Sequence, residues 1–118
     1  MTISLELVVL ILVGHWMADF IGQTDQMAKN KSTSNAWLAH HVIVYGLIML
    51  SFIGVTTRSI PWEWVAVNTL AHGATDYVTS RVSSRLWRAG EVHWFFVVVG
   101  FDQMIHFITL FVTAAYML

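Results

Sequence analysis

The sequence predicts an all-α polytopic membrane protein, a single four-helix transmembrane bundle, from three observations. Hydrophobic residues make up 57% of the 118 residues and charged residues only 11%, whereas soluble domains are about 25% charged. The apolar segments reach roughly 20 residues, the length of a helix that crosses a bilayer. They do not alternate between polar and apolar residues, as the strands of a membrane barrel do. Each segment therefore predicts a helix.

Composition also excludes several classes of protein. The mean hydropathy of +0.65 and the wealth of large apolar residues exclude a disordered chain. A net charge of −1 with six Lys and Arg is too little positive charge for the basic surface that binds nucleic acid. The chain has no cysteine, which excludes disulfides and thiolate metal sites.

Four spans are predicted in one domain, residues 1–118, at about 5–23, 36–55, 62–82 and 94–117. The first loop, residues 24–35, is too polar for a helix that faces lipid. The second loop, residues 56–61, ends at Pro61, which stands just before the third span, where proline is tolerated. Residues 80–89 are expected to continue the third helix as an amphipathic extension at the surface.

Basic residues predict the orientation of these spans. The first and third loops carry five, and the second carries only Arg58. Because positive residues are enriched in cytoplasmic loops, loops one and three are expected in the cytoplasm and both termini outside. The five basic residues are Lys29, Lys31, Arg81, Arg85 and Arg88.

Three aspartates lie inside the predicted spans, where an isolated acid costs at least a few kcal/mol. Each has a histidine four positions away, in the pairs His15/Asp19, His72/Asp76 and Asp102/His106. One helical turn separates the partners, so each pair shares a face with Cβ atoms about 5–6 Å apart. The second span adds His40 and His41, and spacing alone leaves open which of the two faces inward.

The four-span topology places all of these residues at one depth. The pairs of the first and third helices lie toward the cytoplasmic ends of those helices, and the polar residues of the second and fourth lie near their cytoplasmic starts. They can therefore converge inside the bundle. Histidine nitrogen and carboxylate oxygen are ligands for zinc, manganese or iron. The set suits one ion with outer hydrogen-bond partners, or two ions about 3.5–4 Å apart that share carboxylates.

Two metal-free interpretations compete with this one. The clustered acids and histidines could form a proton relay, or His/Asp pairs could simply hydrogen-bond and hold helices together. Further residues are expected to support the site or bind substrate. Four are candidate outer-shell partners: Gln23, Tyr45, Asn68 and Gln103. Lys29, Lys31, Arg81 and Arg85 could hold an anionic headgroup, or could only set topology and touch anionic lipid.

The chain also resembles a known family. The matching segments are His15-Trp16-Met17-Ala18-Asp19-Phe20, Gln23-Thr24-Asp25, Met27-Ala28-Lys29-Asn30-Lys31, His41-Val42-Ile43-Val44-Tyr45, His72-x-x-x-Asp76-Tyr77 and Asp102-Gln103-x-x-His106. They are similar to small membrane proteins of bacteria and their phages, grouped as the domain-of-unknown-function family numbered 3307. The resemblance favours His41 over His40 and implies the bacterial inner membrane, but it implies no reaction. The predicted metal ligands are then His15, Asp19, His41, His72, Asp76, Asp102 and His106.

The leading functional hypothesis is a metal-dependent hydrolase that acts on a lipid or amphiphilic phosphoester at the cytoplasmic face. One or two divalent ions would activate water, with Asp19, Asp76 or Asp102 as the general base. A looser likeness, in size and in intramembrane His and Asp, is to inner-membrane proteins described as metal-dependent hydrolases. The alternatives are a metal-ion or proton transporter, a di-iron redox protein, and a small regulator that binds a host membrane protein. Membrane lipids are the expected partners, and homo-oligomer formation stays open.

Overall fold

The computed structural model describes residues 2–118, and this range contains helices and no strand. The all-α class predicted from the sequence is therefore confirmed. Helix α1 is followed without a break by one π-helical turn, and four further helices follow. The elements are α1 Leu5–Trp16, the π turn Met17–Ile21, α2 Asp25–Asn30, α3 Asn35–Thr57, α4 Trp62–Arg88 and α5 Val92–Met117.

The N-terminal third departs from the sequence prediction in two places. The first span was expected to be one helix over residues 5–23, but its last turn widens into the π turn, where the amide of Gly22 bonds the carbonyl of Met17. Residues 24–35 were predicted to be a loop between two spans, but they contain α2. Thr24 caps that helix by accepting a hydrogen bond from the amide of Met27, whose side chain is buried. A polar segment can thus be helical where it lies over other helices.

The connections between the long helices are short. Arg58 adopts a left-handed conformation (φ 54°) where α3 ends, and Pro61 stands directly before α4. Helix α4 runs through the predicted surface extension to Arg88. Gly90, with φ 75°, makes the turn into α5, a conformation that glycine adopts without strain.

The interior of the protein has an apolar half and a polar half. The apolar half is formed by residues of α1, α3, α4 and α5 that pack as one core cluster: Ile11, Met49, Ile53, Trp64, Leu110 and Ala114 among them. The histidines and aspartates follow these residues in α1 and α4 and precede them in α3 and α5. All of them therefore lie at the end of the helices nearest α2 and the α4–α5 turn.

Two helices, α3 and α5, are long and apolar enough to cross a membrane. Their most apolar segments are only 33% and 11% buried within the protein. Among the other described elements, α4 is longer but carries Asp76 and three arginines, and α1 has only 12 residues. The prediction of four spans is therefore confirmed only in part: two helices are long and apolar enough, whereas α4 is too polar and α1 too short.

Candidate metal centre

Two histidines and two aspartates from three parts of the fold aim their donor atoms at one point. Asp19 comes from the π turn, His41 from α3, and His72 and Asp76 from α4; all four are buried. His41 Nε2 lies 3.1 Å from His72 Nε2 and 3.2 Å from both Asp19 Oδ1 and Asp76 Oδ2. His72 Nε2 lies 3.3 Å and 3.5 Å from these two oxygens. These four residues form the first group.

The spacing in the first group matches a tetrahedral ion. Zinc bonds to nitrogen and oxygen are about 2.0–2.2 Å long, so the ligands of a tetrahedral ion lie about 3.3–3.6 Å apart. Five of the six separations are 3.1–3.5 Å, within or just below this range, and the donor atoms lie within 4.8 Å of one another. The buried cluster could therefore hold a metal ion after small outward shifts of its side chains.

Local structure accounts for each of the four positions. A π-helical segment is usually a single turn and is often found at a functional site. Asp19 lies in the middle of the π turn Met17–Ile21. His72 and Asp76 are one α-helical turn apart and share a face. On α3, His40 is exposed and its ring stacks on Trp37 with centroids 5.9 Å apart, whereas His41 is fully buried. The inward histidine of this pair is thus His41.

Ring packing orients the two histidines of the first group. The Nδ1 atoms of His41 and His72 are buried and find no hydrogen-bond partner in residues 2–118. Tyr45 stacks on His72 with ring centroids 3.8 Å apart, and His106 stacks on it at 4.2 Å. These contacts aim the Nε2 atom of His72 at the carboxylates.

Asp102 and His106, both on α5, adjoin the first group. His106 Nε2 lies 3.1 Å from Asp76 Oδ1 and 3.2 Å from Asp102 Oδ2. Together with Asp19 they could also hold a metal ion, since their donor atoms lie within 4.8 Å of one another. The hydroxyl of Thr79 donates to Asp102 Oδ1, while Oδ2 faces His106 in the site.

His15 supports the site through Gln103. Gln103 Nε2 donates to Asp19 Oδ2 at 3.0 Å and to Asp102 Oδ2 at 3.2 Å. Because carboxylates only accept, the amide nitrogen faces them and Oε1 accepts from His15 Nε2 at 2.9 Å. His15 Nδ1 must then accept from the hydroxyl of Tyr45, also at 2.9 Å. This tautomer makes His15 an outer partner that fixes Gln103, although the sequence predicted a ligand.

A cavity of about 570 Å³ opens from the carboxylates of the site. Lys31 stands in it and donates to Asp76 Oδ2 at 3.0 Å. Its polar lining, the polar wall, includes Lys29 and the hydroxyl residues of α4: Thr79, Ser80, Ser83 and Ser84. Its apolar lining, the apolar wall, includes Phe20, Trp87, Phe95 and Phe96. The cavity therefore joins the site to a surface that suits an amphiphile.

The charge of the site depends on the protonation of its histidines. With all imidazoles neutral, the three ionised carboxylates face one ammonium group, that of Lys31, which leaves two negative charges. Buried charges are stable only when they are paired or bind metal. One divalent cation in the first group balances the charge, and so do two protonated histidines paired with the carboxylates.

The remaining predicted residues divide between the site and the surface. Gln23 lines the cavity, and its Oε1 atom has no hydrogen-bond partner in residues 2–118. Asn68 bonds the Trp64 carbonyl and Thr113, on the apolar side of the site. Arg81 bonds Asn35 and covers the ring of Tyr77.

The cavity lining has members that the sequence reasoning missed. Among residues 2–118, Thr79 and the serines of α4 line the cavity, whereas Arg85, which was predicted to bind substrate, does not. The polar face of residues 79–84 was a signal for them.

The fold and the site define an all-helical protein with a buried histidine–aspartate cluster that could hold a metal ion. The chain belongs to the family described as "Protein of unknown function (DUF3307)", whose model matches residues 7–118. This confirms the resemblance seen in the sequence. Comparisons with curated proteins and with solved structures give no significant match.

Proposed function

We propose that this protein is a membrane-embedded, metal-dependent hydrolase that acts on an amphiphilic phosphoester. The observation that carries the proposal is the position of the first group at the inner end of the cavity, with ligand spacing that fits a tetrahedral ion. A divalent ion there supplies a Lewis acid and activates water for attack on an ester. Zinc fits this spacing and donor set best.

The reaction needs a proton acceptor and an exit for the leaving group. The oxygen of water forms a bond to phosphorus, the ester P–O bond breaks, and the leaving oxygen takes up one proton to give the alcohol. One of the three site carboxylates, Asp19, Asp76 or Asp102, would take a proton from the attacking water and return it to the leaving oxygen. All three line the cavity, so each can reach a group bound there.

The two walls of the cavity favour an amphiphilic substrate. Lys29 and Lys31 attract a phosphate, and the hydroxyl groups of Ser80 and Ser84 can donate hydrogen bonds to it. Trp87, Phe95 and Phe96 provide an apolar surface for an alkyl chain. A water-soluble phosphoester would leave this second wall unused.

Exposed apolar side chains support a membrane location. On α5, Phe101, Met104, Ile108 and Val112 recur every three or four residues and are 44–52% exposed, so they form an apolar stripe along one face. Soluble monomers rarely expose large contiguous apolar surface. We place α1 with the π turn, α3, α4 and α5 as four spans in the bacterial inner membrane, with the site near the cytoplasmic face and both termini outside. The basic loops then lie beside the cavity, where they can also contact anionic lipid.

A chromogenic phosphodiester tests the reaction. Metal-loaded protein in detergent is given p-nitrophenyl dodecyl phosphate, and release of p-nitrophenol is followed. Wild type and the control Asp25→Asn, an exposed acid, are expected to turn over, and Asp76→Asn is not. His41→Gln provides a second inactive variant, and circular dichroism checks that each variant is helical. Metal-loaded wild type without turnover, or turnover unchanged in both site variants, contradicts the proposal.

Lys29 separates substrate binding from chemistry, because it lines the cavity, whereas Lys31 is bonded to the site residue Asp76. Lys29→Met is expected to raise KM about tenfold or more with a smaller effect on kcat, since it removes a contact to the anionic head. Arg81→Met is the control, because Arg81 bonds Asn35 outside the cavity. Equal effects of the two substitutions would argue against the polar wall as the headgroup site.

A further inference from the structure

Both carboxylates of the first group present their second oxygen to other donors. Asp76 uses Oδ2 for the first group and Oδ1 for His106 Nε2, 3.1 Å away. Asp19 uses Oδ1 for the first group, while its Oδ2 lies on the side of Gln103. A carboxylate whose two oxygens face two separate sets of donors is placed to bridge two ions.

We propose that the centre is dinuclear, with a second divalent ion bound by Asp102 and His106 and bridged to the first by Asp19 and Asp76. The inference rests on the metal centre of the proposed function, and it does not depend on the hydrolytic activity. Shared carboxylates hold two ions about 3.5–4 Å apart. Asp102 and His106 are then ligands rather than hydrogen-bond partners.

The separations around this second position repeat those of the first. His106 Nε2 lies 3.1 Å from Asp76 Oδ1 and 3.2 Å from Asp102 Oδ2. Donor atoms of Asp19, Asp102 and His106 all lie within 4.8 Å of one another. His106 is only 3% exposed, so water cannot easily compete for its ring nitrogen.

Hydrogen bonds around the second position hold its ligands without using all of their acceptor capacity. Thr79 binds the Asp102 oxygen that faces away from His106. Gln103 spans Asp19 and Asp102 and is itself held by His15. Such outer partners orient metal ligands, and a carboxylate oxygen that accepts one hydrogen bond keeps a second lone pair for an ion.

The second ion changes the charge that the cavity presents. One divalent ion balances the three carboxylates and Lys31, and a second leaves two positive charges. The cavity then attracts an anionic phosphoester. Two ions also suit phosphoryl chemistry, because one can stabilise the attacking oxygen and the other the leaving oxygen.

The test counts the ions bound to the full chain and measures whether they are magnetically coupled. Purified protein is stripped of metal, loaded with Mn²⁺ and passed through gel filtration; bound manganese is measured by mass spectrometry and its spin state by electron paramagnetic resonance. We expect wild type and the control His93→Gln, an exposed histidine on the same helix, to bind two ions with an exchange-coupled spectrum. His106→Gln should bind one ion with an uncoupled spectrum, and Asp102→Asn should do the same if His106→Gln fails to fold.

The outcomes separate this inference from the proposed function. One uncoupled ion in wild type overturns the dinuclear centre but leaves the first group and the hydrolase intact. Two coupled ions in a protein without phosphodiesterase activity support the dinuclear centre and overturn the hydrolase. Two ions in both folded α5 variants overturn the role of Asp102 and His106.

Discussion

Replacing Gln103 by methionine tests whether the hydrogen bonds around the centre hold its ligands in place. The side chain makes three hydrogen bonds, to His15 at 2.9 Å, Asp19 at 3.0 Å and Asp102 at 3.2 Å. Methionine has a similar length and makes none of them. Loss of an outer hydrogen-bond partner weakens metal binding about 10–100-fold, which corresponds to about 1.4–2.8 kcal/mol.

The fold of the metal-free protein should weaken as well. Hydrogen bonds to charged groups contribute about 1.5–3 kcal/mol each, and two of the three bonds of Gln103 go to carboxylates. The free energy of unfolding of Gln103→Met is therefore expected to fall by about 3 kcal/mol or more. Denaturant unfolding followed by circular dichroism measures this fall.

Competition with a chromophoric chelator measures the change in metal affinity. Gln23→Met is the matched control, because Gln23 lines the same cavity and its Oε1 atom has no hydrogen-bond partner in residues 2–118. We expect the control to bind metal as the wild type does. An unchanged Kd for Gln103→Met, or an equal loss in both variants, would refute the reasoning.

Three further outcomes follow from the same contacts. Tyr45→Phe leaves His15 Nδ1 buried without a donor, so the free energy of unfolding of this variant should fall by about 1–3 kcal/mol. The control Tyr77→Phe, at a 48% exposed tyrosine, should unfold with the wild-type free energy. Gly46→Ala places a Cβ 2.7 Å from Thr69 Oγ1, and this overpacking should lower the free energy of unfolding by about 1–3 kcal/mol. The double variant with Thr69→Ala should recover that stability. A double variant no more stable than the single one would contradict this contact. A strong chelator should lower the unfolding temperature of purified protein and added Zn²⁺ should restore it, because an ion bound only to the folded state stabilises that state; an unchanged unfolding temperature would contradict a bound ion.

The sequence predicts the helices well because their apolar segments are long. The starts of α3, α4 and α5 fall within two residues of the predicted spans. The π turn was missed, since nothing in residues 17–21 distinguishes it from an ordinary apolar helix. Helix α2 was missed because its polar segment was predicted to be a loop, although Thr24 is a good helix cap.

The sequence predicts which residues come together in the candidate site, but not which atoms of those residues face one another. Spacing of one helical turn finds the three His/Asp pairs, and the structure brings all of them together. Whether a residue binds an ion or supports a ligand depends on which atom faces which, and sequence carries no such information. His15 shows this: it has the same spacing as His72, yet its two ring nitrogens are taken by Tyr45 and Gln103. Lys31 was a candidate either for binding a headgroup or for setting topology, and its contact with Asp76 joins residues 45 positions apart.

The most direct test of the account is the metal content of protein purified in detergent and never exposed to a chelator. Wild type is compared with His41→Gln and with His40→Gln, the same change at the neighbouring residue that points outward and stacks on Trp37. We expect a bound transition metal in wild type and His40→Gln, and its loss in His41→Gln. Folded wild-type protein without metal, or equal metal in all three proteins, would contradict a metal centre at this site.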